Sequence, residues 1–230
     1  MPIYRLTDDI AFPPVHLAED GLLAVGGDLR PERLLLAYGS GIFPWYSEGE
    51  PLLWWSPDPR MVMFPDSFHC ARSLRRVIKK GVFEVTLNRA FPEVIEACSG
   101  TPRPGQDGTW ITPEMEEAYI GLHEAGYAMS IECWAEGKLA GGLYGIALGG
   151  CFFGESMFSH QPNASKVAMH ALVASAKAWG LPFIDCQVAN PHLMSLGAQE
   201  IARREFMKHL DAGLRARLAP EAWKVLPEGV

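Results

Sequence analysis

Between residues 128 and 188 the chain is a succession of short apolar runs separated by glycine-containing breaks. Ala128 to Trp134, Lys138 to Ala147 and Gly150 to Phe158 are three such runs, parted by Glu136-Gly137 and Leu148-Gly149, and they predict a strand meander. The period then changes. From Asn163 to Trp179, the residues Val167, Met169, Ala171, Leu172, Val173 and Ala176 populate a helix that Asn163 can cap and Gly180 ends. Leu181 to Val188 returns to a strand. Polar residues break two of these runs where a core wants none: Gly154-Glu155-Ser156 and Asp185-Cys186-Gln187. A carboxylate on a buried strand has to be paired or open to a pocket. With a strand's period of two, Asp185 and Gln187 share one face and Cys186 takes the other. An Asp, a Gln and a Glu on otherwise apolar strands read as a site rather than as accidents of a strand-helix-strand core.

Upstream the pattern is more broken. Residues 1 to 30 are turn-rich, with Phe12-Pro13-Pro14 and Gly21 to Asp28 as short apolar pieces, and Pro31 then opens a helix through Tyr38 that Gly39 stops. Trp45, Tyr46, Trp54 and Trp55 crowd into the next stretch. Trp54 and Trp55 suit the plug of a small core, whereas Trp45 sits in a turn-like context where an indole is free to stack on a base. Ser67 to Lys80 predicts a helix closed by Gly81. On it Arg72, Arg75, Arg76, Lys79 and Lys80 recur at spacings of three and four on one face, with Leu74, Val77 and Ile78 opposite. Phe83 to Asn88 reads as a strand and Ala90 to Ala97 as a short helix. Ser99 to Gly108, rich in Pro and Gly, reads as a mobile loop, after which Thr112 can cap a helix with Pro113 in its first turn. Ile201 to Leu218 predicts a last helix, and little order is expected after Pro220.

Composition narrows the function classes. A chain of 230 residues, 48% hydrophobic, can bury a sizeable core. No leader-like start and no bilayer-length apolar stretch is present, so a cytoplasmic location is expected. Cys70, Cys98, Cys133, Cys151 and Cys186 are odd in number and form no C-x-x-C pair, and the histidines lack ligand spacing, so neither a disulfide framework nor a metal is implied. The net charge of −7 argues against general nucleic-acid coating. Five of the twenty basic residues nevertheless fall within residues 72 to 80 with no acid among them, and against an acidic chain that face favours phosphate contact over a merely solvated surface.

GESMFS at 154 to 159, NASK at 163 to 166, DCQVAN at 185 to 190 and SLGA at 195 to 198 closely resemble the bacterial leucyl/phenylalanyl-tRNA–protein transferases, over about residues 10 to 210. The resemblance implies an α+β chain in which a small N-terminal domain, residues 1 to 62, precedes an acetyltransferase-like (GNAT-related) mixed sheet with flanking helices, residues 63 to 230. It implies transfer of Leu or Phe, less readily Met, from aminoacyl-tRNA to proteins that begin with Arg or Lys, marking them for N-end-rule degradation, with no cofactor. Trp45, Trp110 and Tyr119 match positions near the tRNA 3′ adenosine, core packing being an adequate alternative for Tyr119. Leu143, Phe152, Met157, Met169, Leu172 and Ile184 match the aminoacyl pocket, although aliphatic residues at helical spacing such as Met169 and Leu172 are often ordinary core.

The chemistry suits these residues. An aminoacyl-tRNA is an activated ester, so the transfer needs no ATP, only a neutral amine held against the carbonyl. The carbonyl of Gln187 can accept a hydrogen bond from that amine, and Asp185 beside it can polarise or orient the amide; the resemblance implies that the pair acts as a proton relay, with pure positioning as the alternative. For the basic acceptor that the resemblance implies, Glu155, assisted by Asp185, is the candidate source of negative charge. The rival enzyme is an acyl-CoA-dependent N-acetyltransferase, but Gln161 to Lys166 lacks the glycines of a pyrophosphate cradle. A tRNA-binding module without catalysis would explain the basic helix and the tryptophans but not the Asp185, Gln187 and Glu155 cluster. No heptad or repeat suggests self-association, so a monomer is expected.

Overall fold

The computed structural model describes residues 3–101, 109–216, 218 and 222–227. A small four-stranded sheet is built from β1 (Tyr4–Leu6), β2 (Leu22–Gly26), β3 (Phe43–Pro44) and β4 (Leu53–Trp55), with α1 (Pro31–Gly39) packed on it. Its strand order is β1-β2-β4-β3. The larger sheet begins with β5 (Arg60–Met63) and β6 (Glu84–Leu87), then the meander β7 (Ala128–Ala135), β8 (Lys138–Leu148) and β9 (Cys151–Ser159), then β10 (Ile184–Gln187) and β11 (Gln199–Ile201). Its order is β11-β5-β10-β9-β8-β7-β6, mixed because β9 and β10 run parallel while the other pairs are antiparallel. Parallel neighbours need a crossover, and α5 (Ala164–Trp179) supplies it.

The flanking helices are α2 (Arg72–Lys79), α3 (Phe91–Ser99), α4 (Pro113–Glu124), α6 (Pro191–Ser195) and α7 (Arg203–Leu214). None of the described helices is long and apolar enough to cross a membrane. One apolar cluster runs across both sheets: Leu34, Tyr38 and Trp54 from the small one pack into the same core as Phe91, Tyr119, Phe153 and Phe206. A second lies between the large sheet and α5, with Leu143, Phe152, Leu172 and Ile184 in it.

Local chemistry fixes the boundaries. The expected meander forms, and its first turn is a two-residue one in which Glu136 and Gly137 both take positive φ, 52° and 73°, the backbone that lets tightly joined strands keep their twist. Thr112 caps α4 by accepting from the Met115 N–H at 3.3 Å, and Gly180 ends α5 at φ 72°.

Four expectations are corrected. Asn163 does not cap α5: it is left-handed, φ 73°, and its side chain takes no cap bond, so the helix starts at Ala164. Nor does a helix start at Ser67, whose hydroxyl is spent on the Phe64 and Gly197 carbonyls, leaving a single 3-10 turn (Pro65–Ser67) and an α2 that begins at Arg72. Ile201 pairs with Arg60 in β11, and α7 begins only at Arg203, whose N–H donates to Asp58 at 2.9 Å. After Pro220 the chain is not loose throughout, since Ala222 is buried and Trp223 packs against Phe152 and Trp179. The loop expected to move, Ser99 to Gly108, falls largely on residues 102–108, outside the described residues.

Candidate active site

A cavity of about 360 Å³ opens where β8, β9, β10 and α5 meet the segment after β3. All six apolar residues expected to form a pocket lie in its wall: Leu143 from β8, Phe152 and Met157 from β9, Met169 and Leu172 from α5, and Ile184 from β10. Aliphatic residues at helical spacing are usually core, and Met169 and Leu172 are core on one side, but here they also bound the hollow. Trp45 and Trp110 are half-buried parts of the same wall.

The polar part of the wall holds Glu155 and Gln187, both buried. Gln187 Nε2 donates to Glu155 Oε1 at 2.6 Å, and the Tyr119 hydroxyl donates to Oε2 at 3.1 Å. The Tyr119 hydroxyl is in turn hydrogen-bonded to that of Tyr38, so a chain of polar groups runs from the cavity to α1. Burial pushes the Glu155 carboxyl up to about 7, partly opposed by the hydrogen bonds it accepts. Tyr119, expected beside the tRNA terminus, is wholly buried beneath Glu155 with its ring edge-on to Tyr144, and it is absent from the cavity wall. Its placement follows from α4, where Met115, Tyr119 and Leu122 form the buried stripe.

Asp185 is where period-two reasoning fails. Ile184, Cys186 and Gln187 all reach the cavity, while Asp185 is wholly buried and absent from its wall. The strand register slips between Asp185 and Gln187, and Gln187 takes φ 62°, with the Val188 N–H closing a three-residue turn onto the Cys186 carbonyl at 2.8 Å. Such a turn about a non-glycine residue is rare, and sparsely populated backbone costs on the order of 1–3 kcal/mol, so its surroundings must hold it. Asp185 does the holding: its Oδ1 accepts the Gln187 N–H at 3.0 Å. Asp185 meets Gln187 there, at the backbone, while the Gln187 side chain is engaged with Glu155. Burial, then the charge of Asp185, raises the Cys186 thiol, so it offers the cavity no ready thiolate.

The partner that fixes Asp185 escaped the sequence reading. Arg60 on β5 grips it in two places, Nε to Oδ1 at 2.9 Å and Nη2 to Oδ2 at 2.6 Å, and donates Nη1 to the Gly41 carbonyl at 3.2 Å. The guanidinium lies over the rings of Phe43 and Phe206, 4.8 and 4.5 Å to their centroids, and Phe43 is itself part of the cavity wall. In the Pro-rich run before it, Arg60 looks like a loop charge, and only the pairing of β5 with β10 brings it to Asp185. Tyr38, Asn190 and His192 were missed likewise. Asn190 caps α6 by accepting from the His192 and Leu193 N–H groups, and all three residues belong to the cavity wall.

The five cations Arg72, Arg75, Arg76, Lys79 and Lys80 lie on the exposed side of α2, with Leu74 as its buried anchor. The start of α5, where an acyl-CoA enzyme would cradle phosphate, has its amides engaged: Ala164 N–H donates to the Gln161 carbonyl and Ser165 N–H to the Ser159 hydroxyl.

Residues 62–211 match the family model described as leucyl/phenylalanyl-tRNA protein transferase, and residues 27–58 match the model of that family's N-terminal domain. Proteins named leucyl/phenylalanyl-tRNA–protein transferase are similar over nearly the full length. The one from Myxococcus xanthus is 54% identical over 226 residues, 97% of each chain. That from Anaeromyxobacter is 56% identical over 215 residues, 93% of this chain and 92% of its own. That from Syntrophus aciditrophicus is 56% identical over 229 residues, 99% and 96%. Among solved structures, L-PGS from Bacillus licheniformis superposes only loosely, with a TM-score of 0.39 and 14% identity over 74% of this chain and 54% of its own.

Proposed function

The chain belongs to the leucyl/phenylalanyl-tRNA–protein transferase family, and on that premise we propose how its cavity moves an aminoacyl group from tRNA to the amino terminus of a protein. The observation that carries the proposal is one hollow whose wall brings the six expected apolar side chains together with Glu155 and Gln187. The apolar part takes the side chain of the charged amino acid, Leu, Phe or Met, whose β carbons are unbranched. Trp45 and Trp110 stack on the terminal adenosine, and Tyr119 supports the site from beneath rather than touching RNA. The cations of α2 follow the tRNA backbone.

The acceptor enters with its basic first residue toward Glu155. Its α-amine, with a pKa of about 7.7–8.0, is partly neutral near pH 7. The amine nitrogen attacks the ester carbonyl, the bond to the ribose oxygen breaks, and one proton leaves nitrogen as the alkoxide gains one. Gln187, with Nε2 committed to Glu155, has Oε1 left to accept from the amine and aim it. Asp185 acts through the Gln187 backbone as a positioning residue, because a relay through the side-chain amide would need a contact at that amide, and its contact is at the main chain. The amides already engaged at the start of α5 weigh against the acyl-CoA reading. We take the enzyme to act as a monomer in the cytoplasm, on acceptors it marks for N-end-rule degradation.

The test is transfer of label from Phe- or Leu-charged tRNA to a peptide beginning with Arg or Lys, with no ATP or coenzyme A added. Label in the peptide is expected. No label, with acetyl-CoA turned over instead, sinks the reading. Replacing Arg76 and Lys79 by Ala should in addition lower the log-log salt dependence of tRNA binding by about 0.7 for each lost single-strand-like contact, and an unchanged slope returns α2 to ordinary surface.

A further inference from the structure

Trp223 lies beyond residue 211, where the family-model match ends. We infer that Trp223 is the rear support of the aminoacyl pocket and sets how long a donor side chain the pocket admits. The inference rests on the reading of the cavity as an aminoacyl pocket and concerns only its depth. Phe152 forms part of the cavity wall and is 1% exposed, and Trp223 stacks on it, with ring centroids 5.8 Å apart and planes 27° apart. The Phe152 ring is also confined by β8: a Cβ on Gly145 would come within 2.7 Å of its Cε1 and Cζ, so only glycine leaves the ring its place there.

Trp223 is itself anchored from two directions. The Trp179 ring meets it edge-on at 4.7 Å, and Asn88 Nδ2 donates to its carbonyl at 2.8 Å. Asn88 is not free to give way, since its Oδ1 accepts the Ser130 N–H at 3.0 Å. Trp223 takes φ 72°, a backbone rare for a bulky residue, so these contacts hold it in place. Trp223 also belongs to the wall of a second hollow of about 450 Å³, with Asn88, Met129 and Ala147 around it. Phe152 bounds one space and Trp223 the other, so the stacked pair is the partition between them. Without the indole, Phe152 has room to retreat and the pocket deepens.

The experiment charges one tRNA body in turn with Leu, Phe and Trp and measures kcat/KM with an Arg-starting peptide for the wild type, Trp223→Phe, Trp223→Leu and Trp223→Ala, with melting temperatures alongside. Trp223→Ala should raise the Trp-to-Leu ratio of kcat/KM by about tenfold, the usual scale for a change of a methylene or two in an apolar pocket. Trp223→Phe, which can still stack, should stay near the wild-type ratio. If the Ala variant does not fold, the Leu variant reads the same ratio with a smaller expected rise. Equal loss for all donors, with the ratio unchanged, makes Trp223 a purely structural residue and overturns the inference. Wild-type protein that transfers neither Leu nor Phe overturns the functional reading instead.

Discussion

Arg60→Met is expected to destabilise the protein by about 3–5 kcal/mol, the cost of leaving one member of a buried ion pair without the other. Arg60 and Asp185 are 1% and 0% exposed, so water cannot replace the missing partner. For a chain of this size that corresponds to a fall of about 10 °C in melting temperature. Asp185→Ala should cost as much by the same argument, and its turnover is therefore informative only well below its own melting temperature. The double variant Arg60→Met/Asp185→Leu separates the two roles. It removes both charges, so much of the stability should return, while Gln187 loses the oxygen that holds its N–H and activity should stay low. Thermal unfolding followed by circular dichroism checks this. A single variant melting within about 2 °C of the wild type would show that the pair does not anchor the fold.

Glu155→Gln is expected to lower kcat/KM for an Arg-starting acceptor by about 10- to 100-fold, the scale of a lost hydrogen bond to a charged group. Its pH signature is the sharper readout. Burial raises this carboxyl from its ordinary 4.5 to about 7. A folded state that holds the proton more tightly than the unfolded chain gains stability that is fully present below about 4.5 and is lost as pH rises through about 7. Function runs the other way, because only the ionised carboxyl draws in a cationic side chain. Activity of the wild type should thus rise through about pH 7 and again as the α-amine deprotonates at about 7.7–8.0. Glu155→Gln should keep the upper rise and lose the lower. A lower rise that survives the substitution belongs to another group.

The apolar pocket was legible through the family resemblance, which pointed to its six residues, whereas side-chain type alone does not part Met169 and Leu172 from ordinary core; the pairing of β8, β9 and β10 brings the strand residues together. The orientation of Asp185 was not. Alternation assigns it to the face of Gln187, and nothing about a glutamine signals the positive φ that swings Gln187 to the cavity side. Arg60 was invisible for a different reason: its meaning lies 125 positions away, and no local pattern encodes that distance. Tyr119 was half legible. Its spacing with Met115 and Leu122 marks a core stripe, while its hydroxyl, which ties that stripe to Glu155, leaves no periodic trace. Asn163 shows the limit of capping rules, since a residue of the right type in a left-handed conformation makes no side-chain bond to the helix start.

The phenol of Tyr38 has a bearing on how this polypeptide can be divided. It comes from α1, yet it ends the hydroxyl chain that supports Glu155 on β9. Severing the peptide between β4 and β5 would leave the buried carboxyl of Glu155 resting on a tyrosine with nothing behind it, and a shared apolar seam torn open. The two sheets are therefore one working unit, and neither fragment alone should be a substitute for the intact enzyme.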